Sequence, residues 1–221
     1  MTNFAIASIF SCFVFIFVFT LISILNYKNR FNMKYDIRNH YPYELNYEGK
    51  FTDNLTGNLA VILFALSGVA FFTLFDSKYN NGFFIFDMIA GSIYALALMS
   101  LAFIPLKNLK THLFLVLACV VLSFLIPFSN ALASSISFKD SQEPVSLVMM
   151  IVNAVYCVFI FILMMNPKLS HWADLKEETN NDGTKKYVRP KFFILAFIEW
   201  LLIFTSPVVM ILSLLTKQFI I

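Results

Sequence analysis

Long runs of apolar residues, separated by shorter polar segments, dominate this chain. A membrane-spanning helix requires about 20 mostly apolar residues, because the hydrocarbon core of a bilayer is about 30 Å thick. The runs predict six transmembrane helices, at Asn3–Asn26, Asn58–Phe75, Phe83–Pro105, His112–Phe128, Val145–Met165 and Phe192–Leu215. The predicted fold class is therefore all-α, a polytopic six-helix membrane bundle that forms a single domain from residue 1 to 221.

The fourth and the first of these runs differ from a simple transmembrane span. The fourth run is short, but Ser129–Phe138 can continue it beyond Pro127. Proline removes a backbone donor and bends a helix, and transmembrane helices tolerate it, so a kinked extension is expected. The first run has no basic segment before it and is too long for the apolar part of a signal peptide. It is therefore predicted to be a retained span.

Composition agrees with a membrane protein and excludes several other classes. Only 13% of the residues are charged and 59% are hydrophobic, whereas a soluble domain carries about 25% charged residues. The 27 phenylalanines suit side chains that face lipid. Nothing resembles a basic stripe for nucleic acid, so the lipid bilayer is the expected environment and no nucleic-acid partner is expected. Abundant Phe, Ile, Asn and Lys favour an AT-rich bacterial genome and hence a bacterial plasma membrane.

Basic residues predict the orientation of the bundle. The first, third and fifth connections carry 13 of the 16 Lys and Arg residues, while the second and fourth connections and the C-terminus carry one each. Because short cytoplasmic loops are enriched in Lys and Arg, the odd connections are predicted to be cytoplasmic. With six spans, both termini then face outward.

Two cytoplasmic loops, residues 27–57 and 166–191, are long enough to have structure of their own. The first is rich in tyrosine, which predicts either a segment lying on the lipid headgroups or a docking surface for a cytoplasmic partner. In the second, Asp182-Gly183 between two polar runs predicts a small β-hairpin. The basic residues named as docking candidates are Arg38, Lys185, Lys186 and Arg189.

The most informative single residue is Glu199, which lies well inside the last apolar run. A carboxyl group at this depth is costly, so it usually faces protein or water and often marks function. Helical rise places Tyr94 and Tyr156 at a similar depth, with Asn153 one turn from Tyr156. Two hypotheses remain open. Glu199 is either a fastener between helices, with partners such as Tyr156 or Asn153, or a ligand-, cation- or proton-coupling carboxylate.

The last span also carries a stripe of small or polar residues, which predicts its inward face. The stripe consists of Ala196, Glu199, Ser206, Met210 and Ser213. In the third span, Gly91 and Ala95 predict a close helix contact. Asp87 lies near the start of that span, where it is either an interfacial residue or a partner in an outer gate.

Other candidate chemistry is weak. The three cysteines lie in apolar runs and predict buried small side chains. His40, His112 and His171 all fall on the predicted cytoplasmic side, but their spacing matches no metal motif, so no metal ion or cofactor is expected. Catalytic sequence motifs are also lacking, and a non-enzymatic role is favoured.

Three functions remain open from the sequence. The first is a small transporter-like protein or membrane subunit with a polar core around Glu199. The second is a structural or accessory membrane protein that docks a cytoplasmic or membrane protein partner through its basic loops. The third is a lipid-modifying membrane enzyme that acts through one of the histidines.

Overall fold

The computed structural model describes residues 2–46, 51–75, 82–104, 108–167, 176–179, 185–188 and 192–220. Within these residues, six helical segments are long and apolar enough to cross a membrane, which confirms the predicted fold class. The helices are α1 (Thr2–Phe31), α2 (Leu55–Ala70, continued by a π-helical turn at Phe71–Phe75), α3 (Gly82–Leu101), α4 (Leu109–Ser141), α5 (Pro144–Met164) and α6 (Ile194–Ile220).

Short elements connect the helices at one end of the bundle. Two 3-10 turns, Pro42–Asn46 and Phe51–Asn54, lie between α1 and α2. Strands β1 (Lys176–Thr179) and β2 (Lys185–Val188) pair antiparallel between α5 and α6. The strands occupy the two arms on which the sequence predicts a hairpin, and their register places Glu178 opposite Lys186.

Helix α4 is longer than its apolar core because it continues through Pro127 to Ser141, as the predicted extension requires. It ends at Gln142, which adopts a left-handed conformation with φ of 58°. The backbone N–H of Gln142 donates to the carbonyl of Phe138 at 2.8 Å, which satisfies one of the carbonyls left free at a helix end.

The surface of the bundle is apolar at the level of the predicted membrane. Phe10, Phe17 and Phe114 are each about two-thirds exposed, which suits side chains that face hydrocarbon rather than water. By contrast, α6 lies at the centre of the bundle. Of the residues in its apolar window, 67% are buried, against 22% in α5. The predicted inward stripe of α6 is buried throughout.

Successive helices run in opposite directions, so the bundle has two distinct ends. We call the end at which α1, α3 and α5 finish the basic end, and the end at which α1 begins and α6 finishes the terminal end. The basic end is the predicted cytoplasmic face, and this orientation stays a prediction from the positive-inside rule.

Small residues allow α2 and α3 to approach closely. A Cβ atom added at Gly91 would lie 2.3 Å from the ring of Phe72, and one added at Gly68 would lie 2.8 Å from the Cβ of Ala95. Both distances are shorter than atomic contact permits. The contact predicted at Gly91 and Ala95 is therefore present, and its partners are Phe72 and Gly68.

The proline in α6 is accommodated by its neighbour. Pro207 has no backbone N–H, so the carbonyl of Ile203 loses its normal helical donor. The hydroxyl of Ser206 donates to that carbonyl at 2.8 Å. Helix α6 therefore passes through the centre of the bundle without leaving this carbonyl unsatisfied.

Candidate functional site

Glu199 lies in the second turn of α6 and is completely buried. Its partner is His112, in the first turn of α4, which is also completely buried. His112 Nε2 lies 2.8 Å from Glu199 Oε1. The central helix and its neighbour are thus joined by an ionisable pair close to the basic end.

The hydrogen bonds of His112 determine how many protons the pair holds. His112 Nδ1 lies 2.7 Å from the carbonyl oxygen of Ile104, at the end of α3. A carbonyl oxygen only accepts, so Nδ1 must carry a hydrogen. One further proton then lies between His112 Nε2 and Glu199 Oε1. Whether it resides on nitrogen or oxygen, the pair as a whole is neutral, which reduces the cost of burying it.

The second carboxyl oxygen of Glu199 is available for another interaction. Among the residues that the structure describes, Glu199 Oε2 is buried and has no hydrogen-bond partner. A buried acceptor without a partner costs about 1–3 kcal/mol. A water molecule or a polar ligand that donates a hydrogen bond to Oε2 would remove this cost, so the site has capacity for an additional bound species.

Residues 32–46 fold back against the bundle and close the basic end; we call them the plug. Trp200, next to Glu199, donates from Nε1 to Tyr35 Oη at 3.1 Å and to the carbonyl oxygen of His40 at 3.0 Å. Tyr35 Oη in turn donates to the carbonyl oxygen of Tyr41 at 2.7 Å. Burial raises the pKa of Tyr35 well above its usual value, which keeps this hydroxyl protonated.

Tyrosines of the plug cover the histidine directly. The rings of Tyr41 and Tyr43 meet the His112 ring edge-on, with centroids 5.7 and 5.5 Å away. The backbone N–H of Phe193 donates to the carbonyl oxygen of Arg38 at 2.8 Å, which fixes the plug to the start of α6. Tyr35, Tyr41 and Tyr43 are all buried. The prediction that this segment rests on lipid headgroups is therefore wrong for these three residues, because they pack on protein; Tyr47 lies outside the described residues.

Asparagine side chains hold the other edge of the plug. Asn54 Nδ2 donates to Ser23 Oγ at 2.8 Å and to Asn46 Oδ1 at 3.0 Å. Asn46 Nδ2 donates to the carbonyl oxygen of Ala102, at the end of α3. The plug is therefore bound to the end of α3, to α6 and, through Asn54, to the turn that precedes α2. A movement of the plug would expose the layer that contains His112.

A second buried ion pair lies at the terminal end of the bundle. Lys217 Nζ in α6 lies 3.0 Å from Asp87 Oδ2 in α3, and both side chains are fully buried. Ser213 Oγ donates to the same Asp87 oxygen at 3.2 Å, and it accepts from Asn130 Nδ2 at 3.0 Å. Asp87 is therefore buried within the bundle and paired with Lys217, and its position near the outer membrane interface stays a prediction.

The other predicted site residues lie on α3 and α5, and two of them bond to α6 at positions away from Glu199. Tyr94 Oη donates to the carbonyl oxygen of Leu202, one turn beyond Glu199. Asn153 instead donates to Thr216 Oγ1 at 3.0 Å, near the terminal end. Tyr156 is buried on α5. The partner of Glu199 is thus His112, and the prediction of Asn153 as its partner is wrong.

His112 was missed as a partner because it follows a short polar connection and lies at the very start of an apolar run. That position is also typical of an interfacial residue. The one available signal was that His112 and Glu199 each lie in the first two turns of a span that enters from the same end. His40 belongs to the plug, where its ring packs on Tyr35 and Tyr27, and His171 lies outside the described residues.

Of the four basic docking candidates, three lie within the described residues. The Arg38 side chain is 65% exposed on the plug and forms a salt bridge to Asp36 at 2.7 Å. Lys185 and Lys186 lie in β2, and Arg189 lies outside the described residues.

Within the described part of the chain, no group of three or more His, Cys, Asp or Glu side chains is arranged to hold a metal ion. Cys12, Cys119 and Cys157 are buried free thiols. No protein-family model matches the chain, and neither does any curated protein or solved structure.

Proposed function

We propose that the chain is a small transporter-like protein, or a membrane subunit of that kind, whose polar core is the pair His112–Glu199. The observation that carries this proposal is the fully buried contact of 2.8 Å between His112 Nε2 and Glu199 Oε1. An ionisable residue within a membrane-spanning helix is expensive and is commonly retained for ion or proton handling.

The surroundings of the pair support a role in exchange with one face of the membrane. Glu199 lies about 8 Å along α6 from the start of that helix at Ile194. The plug separates the pair from the basic end, and Trp200 ties the plug to the residue adjacent to Glu199. Release of these two hydrogen bonds would open the layer from the basic end. We therefore infer that plug movement controls access to the carboxyl group.

Access can be tested without altering the pair. In a protein with Cys12, Cys119 and Cys157 replaced by Ala, a single Ala196→Cys substitution places a thiol one turn from Glu199 on the same buried stripe. A membrane-impermeant charged maleimide is then applied from each side of vesicles. The expected result is labelling from the basic end, because the plug opens, and little labelling from the terminal end.

The matched control is Phe204→Cys, at a position on α6 that is 37% exposed on the outer surface of the bundle. A thiol in hydrocarbon does not ionise and should resist the charged reagent. Equal resistance at Ala196→Cys, in folded and abundant protein, would contradict the proposal and leave His112–Glu199 as a fastener between helices.

The orientation and location belong to the same proposal. The positive-inside rule places the basic end in the cytoplasm, and composition favours a bacterial plasma membrane. Lys110 lies at the basic end and is exposed. If a cysteine introduced at this position reacts only after the cells are permeabilised, the result agrees with this orientation. Reaction in intact cells would reverse it.

An accessory role is the second proposal, and Arg38 is the observation that favours it. Its exposed guanidinium is held in place by two hydrogen bonds from Nε and one from Nη2 to the carboxylate of Asp36. Such a fixed surface group on a well-packed plug suits a cytoplasmic or membrane protein partner. Loss of co-purified partner in Arg38→Ala, with retention in Lys34→Ala, would favour this role; equal recovery would argue against it.

A further inference from the structure

The polar cluster at the terminal end brings oxygen atoms from three helices together. Asp87 comes from α3, Asn130 from α4 and Ser213 from α6, and all three are at most 1% exposed. Hydrogen bonds join Asn130 to Ser213 and Ser213 to Asp87. The cluster therefore has a fixed geometry rather than being a chance grouping of surface groups.

Two oxygens of this cluster have bonding capacity left. Among the described residues, Asp87 Oδ1 and Asn130 Oδ1 are buried and have no hydrogen-bond partner. The other carboxyl oxygen of Asp87 already receives Lys217 Nζ and Ser213 Oγ. Because buried acceptors are normally satisfied, these two oxygens have capacity for a bound species that is coordinated by oxygen.

An open recess at the terminal end lies one helical turn outward of the cluster. It has a volume of about 380 Å³, and Phe83, Ala133 and Ile220 contribute to its lining. Phe83 is four positions from Asp87 and Ala133 is three positions from Asn130, each on the same helix. Ile220 is three positions from Lys217, the partner of Asp87. Such residues are neighbours on a helix surface, so the recess lies one turn outward of the buried oxygens.

The lining of the recess is also suited to a cation. Ser137, Asp140 and Ser141 supply hydroxyl and carboxylate oxygens at its rim. A carboxylate that lines a recess raises the local concentration of positive ions. The recess and the buried cluster thus have the same preference for positive charge.

We propose that Asp87, Asn130 and Ser213 form a binding site for a small monovalent cation, which the ammonium group of Lys217 fills when no ion is bound. Carboxylate, amide and hydroxyl oxygens are ligands for hard cations. The one carboxylate balances a single positive charge, and a divalent ion would leave an uncompensated charge in a medium of low dielectric constant.

Lys217 can leave the site because of its position and its flexibility. It lies in the last turn of α6, and a lysine near the end of a span can extend its four-carbon stem toward the water interface. An arriving ion would take its place beside Asp87, so the charge in the cluster would not change. This inference concerns α3, α4 and the last turns of α6, and it does not depend on a function for His112–Glu199.

The test measures thermal stability of the full-length protein in detergent, in NaCl and in choline chloride at equal ionic strength. Lys217→Met keeps the apolar stem and removes the competing charge, so its melting temperature should rise with Na⁺ but not with choline. The Na⁺ concentration at half-maximal effect should be about tenfold lower than in the unaltered protein, because the ion no longer displaces an ammonium group.

The decisive control is the double variant Lys217→Met/Asp87→Asn, which keeps the shape of the site and carries no buried charge. It should lose the Na⁺ response entirely, whereas Glu199→Gln should keep the response of the unaltered protein. Equal stability of Lys217→Met in NaCl and in choline chloride would overturn the proposal and make Asp87–Lys217 a fastener. A Na⁺ response that persists in the double variant would also overturn it.

Discussion

Glu199 and Lys217 lie at opposite ends of α6, about 27 Å apart along its axis, and each is buried against a group of complementary charge from a different helix. Glu199 pairs with His112 of α4, and Lys217 pairs with Asp87 of α3. An acidic group near the start of a helix and a basic group near its end also complement the helix dipole. The central helix is therefore anchored electrostatically at both ends.

The two members of the first pair should differ in their effect on stability. His112→Ala removes the ring and leaves both Glu199 oxygens buried without it, so we expect a loss of about 3–5 kcal/mol. Glu199→Gln keeps the shape and a hydrogen bond to His112, so we expect a loss of about 1 kcal/mol. The measurement is denaturant-induced unfolding in detergent, followed by the fluorescence of the two tryptophans.

The matching double variant, His112→Ala/Glu199→Gln, should cost less than the sum of the two single changes, because the contact can be lost only once. Strict additivity would contradict a direct coupling between these side chains.

The indole N–H of Trp200 should stabilise the plug specifically. Trp200→Phe removes two hydrogen bonds but retains aromatic packing against Phe19 and Phe204, whose rings lie 6.0 and 5.5 Å away. We expect the substitution to lower the free energy of opening the plug by about 1–2 kcal/mol. Hydrogen exchange in residues 35–46 should then increase roughly five- to thirtyfold. Exchange in α5 provides the internal control, and a uniform increase in both segments would show general destabilisation instead.

Gly91 and Gly82 provide a matched pair of substitutions. Gly91→Ala places a methyl group against the buried ring of Phe72, whereas a Cβ atom at Gly82 has open space around it. We therefore expect Gly91→Ala to lower stability by about 1–3 kcal/mol and Gly82→Ala to be tolerated. Thermal unfolding monitored by size-exclusion chromatography measures both, and similar melting temperatures would contradict the close contact of α2 and α3.

Asp36 should remain ionised in acid that protonates an ordinary aspartate. Hydrogen bonds from Arg38 lower the pKa of Asp36 from 3.8 to about 2. Because the folded-state pKa is depressed, the stabilising contribution is complete above about pH 4 and is lost as the pH falls through about 2. Carboxyl carbon resonances of labelled aspartate should record this titration, with a shift back toward 3.8 in Arg38→Ala.

High salt provides the control for that measurement. The Asp36 side chain is 29% exposed and its partner Arg38 is 65% exposed, so screening should bring the pKa of Asp36 closer to 3.8 in the unaltered protein. A titration near 3.8 at low salt would mean that Arg38 and Asp36 do not hold the bidentate arrangement described above.

The sequence by itself determined the membrane class, the number of spans and the inward stripe of α6. These properties follow from local rules. A span needs a certain length of apolar residues, and polar groups on a helix in hydrocarbon must turn toward protein. Even the continuation of α4 through Pro127 could be read from local composition.

Only the tertiary structure decided which ionisable residues meet. The two pairs join positions 87 residues apart, His112 with Glu199, and 130 residues apart, Asp87 with Lys217. Helical spacing gives the depth of each side chain but not its rotation toward a particular neighbour. The choice between His112 and Asn153 as the partner of Glu199 therefore depended on the packing of all six helices.

The packing of the plug likewise could not be predicted from the sequence of that loop. Tyr35, Tyr41 and Tyr43 have a composition suited to the lipid interface, yet they pack against Trp200 and His112. A tyrosine can satisfy its hydroxyl either at the membrane surface or inside a protein, and both environments select the same side chain. Composition cannot distinguish them, because the difference lies in the side chains that distant segments bring into place, such as Trp200, whose Nε1 donates to Tyr35 Oη.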